Sequence, residues 1–174
     1  MSGGASNGAW EAGVLWGLTH MGTESDYSYD VVTGVSAGAI NAAALALWPP
    51  GTERNATEYI SEVWNNITND DFYESSATSW LSAPFHKSVY GTEPAKKLIR
   101  GVLDTYGGFE RKISVSAVDV ESGEIFTATE GTVDFDQFHL AVLASASVPG
   151  LFPPVRVDGR LLMDGGTTYN TNVE

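Results

Sequence analysis

The chain has 174 residues, enough for one domain with a substantial core, and its 43% hydrophobic and 11% aromatic content marks a globular protein. With 9 basic against 22 acidic residues the formal charge is -13, which opposes binding to nucleic acid or to a strongly anionic membrane by bulk attraction. The absence of cysteine excludes disulfides, thiolate metal sites and cysteine nucleophiles. No apolar run reaches the length of a membrane-spanning helix and no signal-peptide pattern follows Met1, so the chain reads as soluble or peripherally membrane-bound.

In chain order, Met1-Ser2-Gly3-Gly4-Ala5-Ser6-Asn7-Gly8 is a glycine-rich loop opening onto a helix from Ala9 to about His20. Trp10, Val14, Leu15 and Leu18 are spaced along it for one buried face. Such a loop presents backbone N–H groups to an anion at the helix N-terminus. Tyr29 to Val32 then reads as a strand, and the abrupt switch to Ala37-Gly38-Ala39-Ile40-Asn41-Ala42 reads as a helix closed by Trp48-Pro49-Pro50-Gly51. Between strand and helix lies Gly34-x-Ser36-x-Gly38. A serine there sits on a sharp turn with its hydroxyl exposed, and the flanking glycines remove side chains that would block the turn.

Glu53 to about Ile67 is amphipathic, with Tyr59, Ile60, Val63, Trp64 and Ile67 inward. Residues 68–92 read as irregular, with Asp70-Asp71 as a solvated acidic turn and Trp80, Leu81 and Phe85 as apolar positions within them. A helix from Glu93 to about Tyr106 follows, then strands over Lys112–Val120 and up to Thr129 joined by Glu121-Ser122-Gly123-Glu124. Asp134 to about Ser147 is a helix halted by Pro149, and two short strands end the pattern at Asp164-Gly165-Gly166. There is no repeat and no linker. Strands alternating with helices, then hairpins, imply a single α/β domain over 1–174: a three-layer sandwich around a mixed, mainly parallel sheet.

A nucleophilic serine needs a base and donors for the oxyanion it creates. The three histidines, His20, His86 and His139, carry no distinctive motif, and none follows Asp164. That argues against the Ser, acid, His order of the α/β-hydrolases. Asp164 instead ends an apolar strand before two glycines, where a loop-borne catalytic carboxylate would sit.

Three ordered features, Gly3-Gly4-Ala5-Ser6-Asn7-Gly8, Gly34-Val35-Ser36-Ala37-Gly38 and Asp164-Gly165-Gly166, together resemble the patatin-like phospholipase family. The stretch from Ala144 to Val155, Ala-Ser-Ala-Ser-Val-Pro-Gly-Leu-Phe-Pro-Pro-Val, resembles that family's passage from helix to strand. The resemblance covers nearly the whole chain. It implies a lipid acyl hydrolase with Ser36 as nucleophile and Asp164 as base, and with Gly3, Gly4 and Ala5 forming the oxyanion hole. Gly8, Gly34, Gly38, Gly165 and Gly166 are its motif glycines. It implies no metal and no cofactor, and a lipid ester as partner, met at a membrane or droplet surface. Two departures stand out: Ala5 replaces a glycine, and Asn7 replaces a basic residue. With only Met1 and Ser2 ahead of Gly3, the domain reads as incomplete at both ends and the loop as loosely held on that side. Two other readings stay open: a catalytically silent lipid-binding module, and a Ser-His-Asp esterase using His86 or His139.

Overall fold

A computed structural model describes residues 1–23, 26–72 and 90–171. After a 3-10 turn at Ala5–Asn7 come α1 (Gly8–Met21), β1 (Val31–Val35), α2 (Ala37–Ala46), α3 (Glu53–Asn66), α4 (Asn69–Phe72) and α5 (Glu93–Asp104). They are followed by β2 (Lys112–Asp119), β3 (Ile125–Thr129), α6 (Phe135–Ser145), β4 (Val155–Val157), β5 (Arg160–Asp164) and a second 3-10 turn at Gly165–Thr167. Trp80, Leu81, Phe85 and His86 lie outside the described residues.

β2 is the strand on which the sheet is assembled. β1 runs parallel to it, from Val31 opposite Lys112 to Val35 opposite Ser116. β3 pairs antiparallel along Ser114 to Val118, and so takes the other edge. β5 pairs antiparallel with Ala117 to Asp119, which leaves it only the edge that β1 has just vacated. β4 adds outside β5, again antiparallel. The α/β fold around a mixed sheet is as expected, but the parallel majority is not. Among the described strands one pairing is parallel and three are antiparallel, because short turns join β2 to β3 and β4 to β5 and a tight turn reverses the chain.

All ten residues of α2 are buried. Its alanines leave room for the helix to lie between the sheet and the pair α1 and α3, as a helix apolar on nearly every side must. Its one polar residue, Asn41, is fully satisfied. It donates to the Gly8 carbonyl at 3.0 Å and Glu11 at 2.9 Å, and accepts from Trp64 Nε1 at 2.7 Å. Val32, Ile113, Val115, Ala117 and Leu162 from the sheet join α2, Ile60, Leu103 and Phe138 in one core.

α1 departs from its predicted orientation. Trp10 is 73% exposed and Val14 and Leu18 also face outward, while Ala12 and Thr19 are buried. The helix approaches its neighbours on its small residues: a Cβ on Gly8 would lie 2.6 Å from the Trp64 ring. At the far end of β1 and β2, Arg111 and Glu53 form a buried ion pair at 2.8 Å. The guanidinium also donates to the carbonyls of Tyr29, Trp48 and Pro49, and Glu53 accepts from the Tyr29 and Gly51 N–H groups. Asp71, on α4, accepts the N–H and hydroxyl of Thr68 just ahead of that helix, at 2.8 Å each. Among the described residues no group of three His, Asp or Glu is arranged to hold a metal, and no helix is long and apolar enough to cross a membrane.

Candidate active site

The strand β1 ends at Val35 and the helix α2 begins at Ala37, so the whole change of direction falls on Ser36. Its φ of 55° and ψ of -124° are unfavourable for a residue with a Cβ. Neither neighbouring glycine tolerates a side chain. A Cβ on Gly34 would lie 2.3 Å from the Gly38 carbonyl oxygen, and one on Gly38 would lie 2.5 Å from the Met1 carbonyl carbon. The turn is therefore closed by backbone packed directly on backbone.

Asp164 reaches the same place from the opposite direction. β1 uses the edge of β2 up to Ser116, and β5 takes over at Ala117, whose partner is Asp164. The last residue before the elbow and the aspartate thus occupy successive register positions on one strand. Ser36 Oγ donates to Asp164 Oδ2 at 2.7 Å across a sequence separation of 128. The other carboxylate oxygen accepts the Gly166 N–H at 2.7 Å. Ser36 is 7% exposed and Asp164 4%. Burial pushes the Asp164 carboxyl above its ordinary range, and the hydrogen bonds from Ser36 and Gly166 draw it part of the way back. Gly165 packs on the Ser116 carbonyl, which keeps the aspartate turn tight against β2.

The glycine loop lies over the serine: a Cβ on Gly3 would be 2.9 Å from Ser36 Cβ. It is held on both sides, contrary to the expectation of a loose start. The Met1 amino group donates to the Thr33 carbonyl at 2.7 Å and the Met1 carbonyl accepts the Val35 N–H at 3.2 Å, a parallel bridge on the edge of β1 away from β2. The Gly3 N–H donates to the Asn170 carbonyl at 3.1 Å, and Asn170 Nδ2 donates to the Gly3 carbonyl at 3.0 Å. The Gly3 N–H is thereby committed to Asn170. Among the described residues, the N–H groups of Gly4 and Ala5 have no hydrogen-bond acceptor. Ala5 has a φ of 49°, left-handed backbone that an alanine adopts at a cost of about 1–2 kcal/mol. Asn7 makes no side-chain cap to α1.

The described histidines are engaged elsewhere. His20 stacks on Trp16 and contacts the Trp16 carbonyl and Glu58. His139 is buried on α6 near Lys96, Arg100 and Asp104, and burial lowers its pKa. Leu151 is exposed, and Phe152 is half-buried against Tyr90.

Two side chains at the site carry no signal that singles them out in the sequence. Asn170 ties the loop after Asp164 to the loop over Ser36. Ser145 accepts the Ser36 N–H at 2.8 Å and donates to the Ser116 carbonyl at 2.7 Å. Ser145 falls in the stretch from Ala144 to Val155, but spacing does not distinguish its hydroxyl from that of Ser147.

The chain is similar in fold to VipD from Legionella pneumophila, with a TM-score of 0.60 at 16% sequence identity. The match covers 98% of this chain and 46% of VipD, so the chain spans less than half the length of that protein. The sequence matches the patatin-like phospholipase description over residues 1–174. On that match, and with a mixed-sheet α/β fold that agrees with it, the chain belongs to the patatin-like phospholipase family.

Proposed function

We propose that this chain is a lipid acyl hydrolase that cleaves carboxylic esters of glycerolipids through Ser36 and Asp164. Family membership implies a lipid substrate. The observation that carries the reading is the 2.7 Å hydrogen bond from a strained, buried serine to a buried carboxylate.

The reaction follows from that bond. Ser36 Oγ attacks the ester carbonyl while its proton passes to Asp164 Oδ2. The tetrahedral oxyanion is met by the Gly4 and Ala5 N–H groups, which no acceptor among the described residues occupies. Collapse breaks the ester C–O bond, the leaving alcohol takes the proton from Asp164, and the acyl group remains on Ser36. Water then delivers a proton to Asp164 as it attacks the acyl carbon. The second collapse returns that proton to Ser36 and releases the fatty acid. The carboxylate ends the cycle as it began, and no step requires a histidine.

The test is fluorophosphonate labelling together with hydrolysis of a short-chain ester and of phospholipid vesicles. Ser36→Ala removes both activities, and Asp164→Asn lowers turnover by about 10²–10⁴-fold, the usual worth of a positioned base. Replacement of His20, His86 and His139 by Gln leaves turnover intact at equal folded fraction. A chain that binds lipid without labelling at Ser36 is a silent binding module, and loss of turnover on a histidine change in folded protein restores the triad.

A further inference from the structure

β1 ends opposite Ser116 of β2, and β5 takes its place from Ala117. The Ser36 N–H lies just past that end, before α2 with non-helical dihedrals, and has no intrahelical acceptor. Ser36 is buried, and a buried backbone N–H without a partner costs about as much as a lost hydrogen bond.

One hydroxyl links the Ser36 N–H to the Ser116 carbonyl. Ser145, fully buried at the end of α6, accepts from Ser36 N at 2.8 Å and donates to the Ser116 oxygen at 2.7 Å. Only a group that accepts and donates at once can bridge them, and a serine hydroxyl is the smallest side chain that does. Two residues on, the Ser147 carbonyl accepts the Asp164 N–H at 3.0 Å. The end of α6 therefore holds the serine and the aspartate alike.

We propose that Ser145 is a positioning residue for the nucleophile, its hydroxyl fixing the elbow so that Ser36 Oγ stays aimed at Asp164. This rests on the reading of Ser36 as nucleophile. A displacement of about 1 Å at a reacting group is worth as much as 10²-fold in rate, so loss of the bridge is expected to act on the chemical step and not on lipid binding.

The experiment compares wild-type protein, Ser145→Ala, Ser145→Cys and the remote control Thr57→Val. Thr57→Val also removes a buried hydroxyl, one bonded to Thr19 at 2.8 Å between α1 and α3. Each is measured for fluorophosphonate labelling rate, kcat and KM, corrected for folded fraction, and for hydrogen exchange at the Ser36 amide by NMR. Ser145→Ala is expected to lower kcat and the labelling rate by about 10–100-fold with KM unchanged, and to release the Ser36 amide to exchange. Ser145→Cys keeps the volume with a weakly bonding thiol and carries the same test if the alanine variant does not fold; it is expected to fall between. Labelling rates for the Ser145 variants equal to that of Thr57→Val, with the Ser36 amide still protected, overturn the proposal. Wild-type protein that never labels overturns the hydrolase reading instead. Release of the Ser36 amide in the Ser145 variants then still establishes the contact, without a catalytic role.

Discussion

The strain at Ser36 can be measured apart from its chemistry by comparing Ser36→Gly with Ser36→Ala. Both variants lose the hydroxyl and its hydrogen bond to Asp164, so the difference between them isolates the Cβ. At φ 55° and ψ -124° a residue with a Cβ carries about 1–3 kcal/mol of strain, which glycine escapes. Against this, glycine widens the unfolded ensemble by about 0.4–1 kcal/mol. The balance favours glycine by about 1 kcal/mol, or about 2–4 °C in Tm for a chain of this size. Thermal and urea unfolding of the two variants at neutral pH provide the assay. An alanine variant as stable as the glycine variant, or more so, would mean that the elbow is not strained and that the serine's aim has another source.

The Asp164 carboxyl gives a pH-dependent prediction. Its folded-state pKa lies above the unfolded value near 3.8, so over the interval between them the folded chain holds a proton the unfolded chain has lost. That contribution is complete below the unfolded pKa and disappears as pH rises through the folded one. Asn at 164 does not ionise, so the stability of Asp164→Asn relative to wild type should grow as pH rises across that window; unfolding midpoints at a series of pH values check it, and a flat difference refutes it. A second prediction concerns the ion pair at the far end of β1 and β2. Glu53→Gln leaves the fully buried Arg111 guanidinium without its counter-charge, and should cost about 3–5 kcal/mol in urea unfolding with the labelling rate per folded molecule unchanged.

Much of this architecture was legible in the sequence because it is written in local pattern. The alanine-rich run after Ser36 reads as a helix, and the helix is there, with all its residues buried. The elbow showed as glycines two residues to either side of a serine, and both are needed to avoid backbone collision. What was not legible depends on pairings made at a distance. The outward face of α1 could not be read from its periodicity, because Gly8 and Ala12 give a close helix contact that outcompetes burial of Trp10, Val14 and Leu18. The anchoring of Met1 uses the edge of β1 away from β2, which exists only once the sheet has formed. The commitment of the Gly3 N–H to Asn170 likewise requires two ends of the chain to meet.

The geometry also bears on why a carboxylate could serve where many serine hydrolases use histidine. A carboxylate in water is a weak base, and a neighbouring cation would make it weaker still. Around Asp164 burial is the dominant influence and acts in the opposite direction, while the hydrogen bonds from Gly166 and Ser36 keep the ionised form supported. The two carboxylate oxygens are thereby given separate tasks. Oδ1 is held by the Gly166 N–H, which fixes the plane of the group, and Oδ2 is left to the serine. In the proposed reaction the proton moves along a bond that already exists, into a group whose affinity for it burial has raised. The split of one sheet edge between β1 and β5 makes that arrangement possible, because it brings the end of a parallel strand and the end of an antiparallel one to adjacent positions on β2.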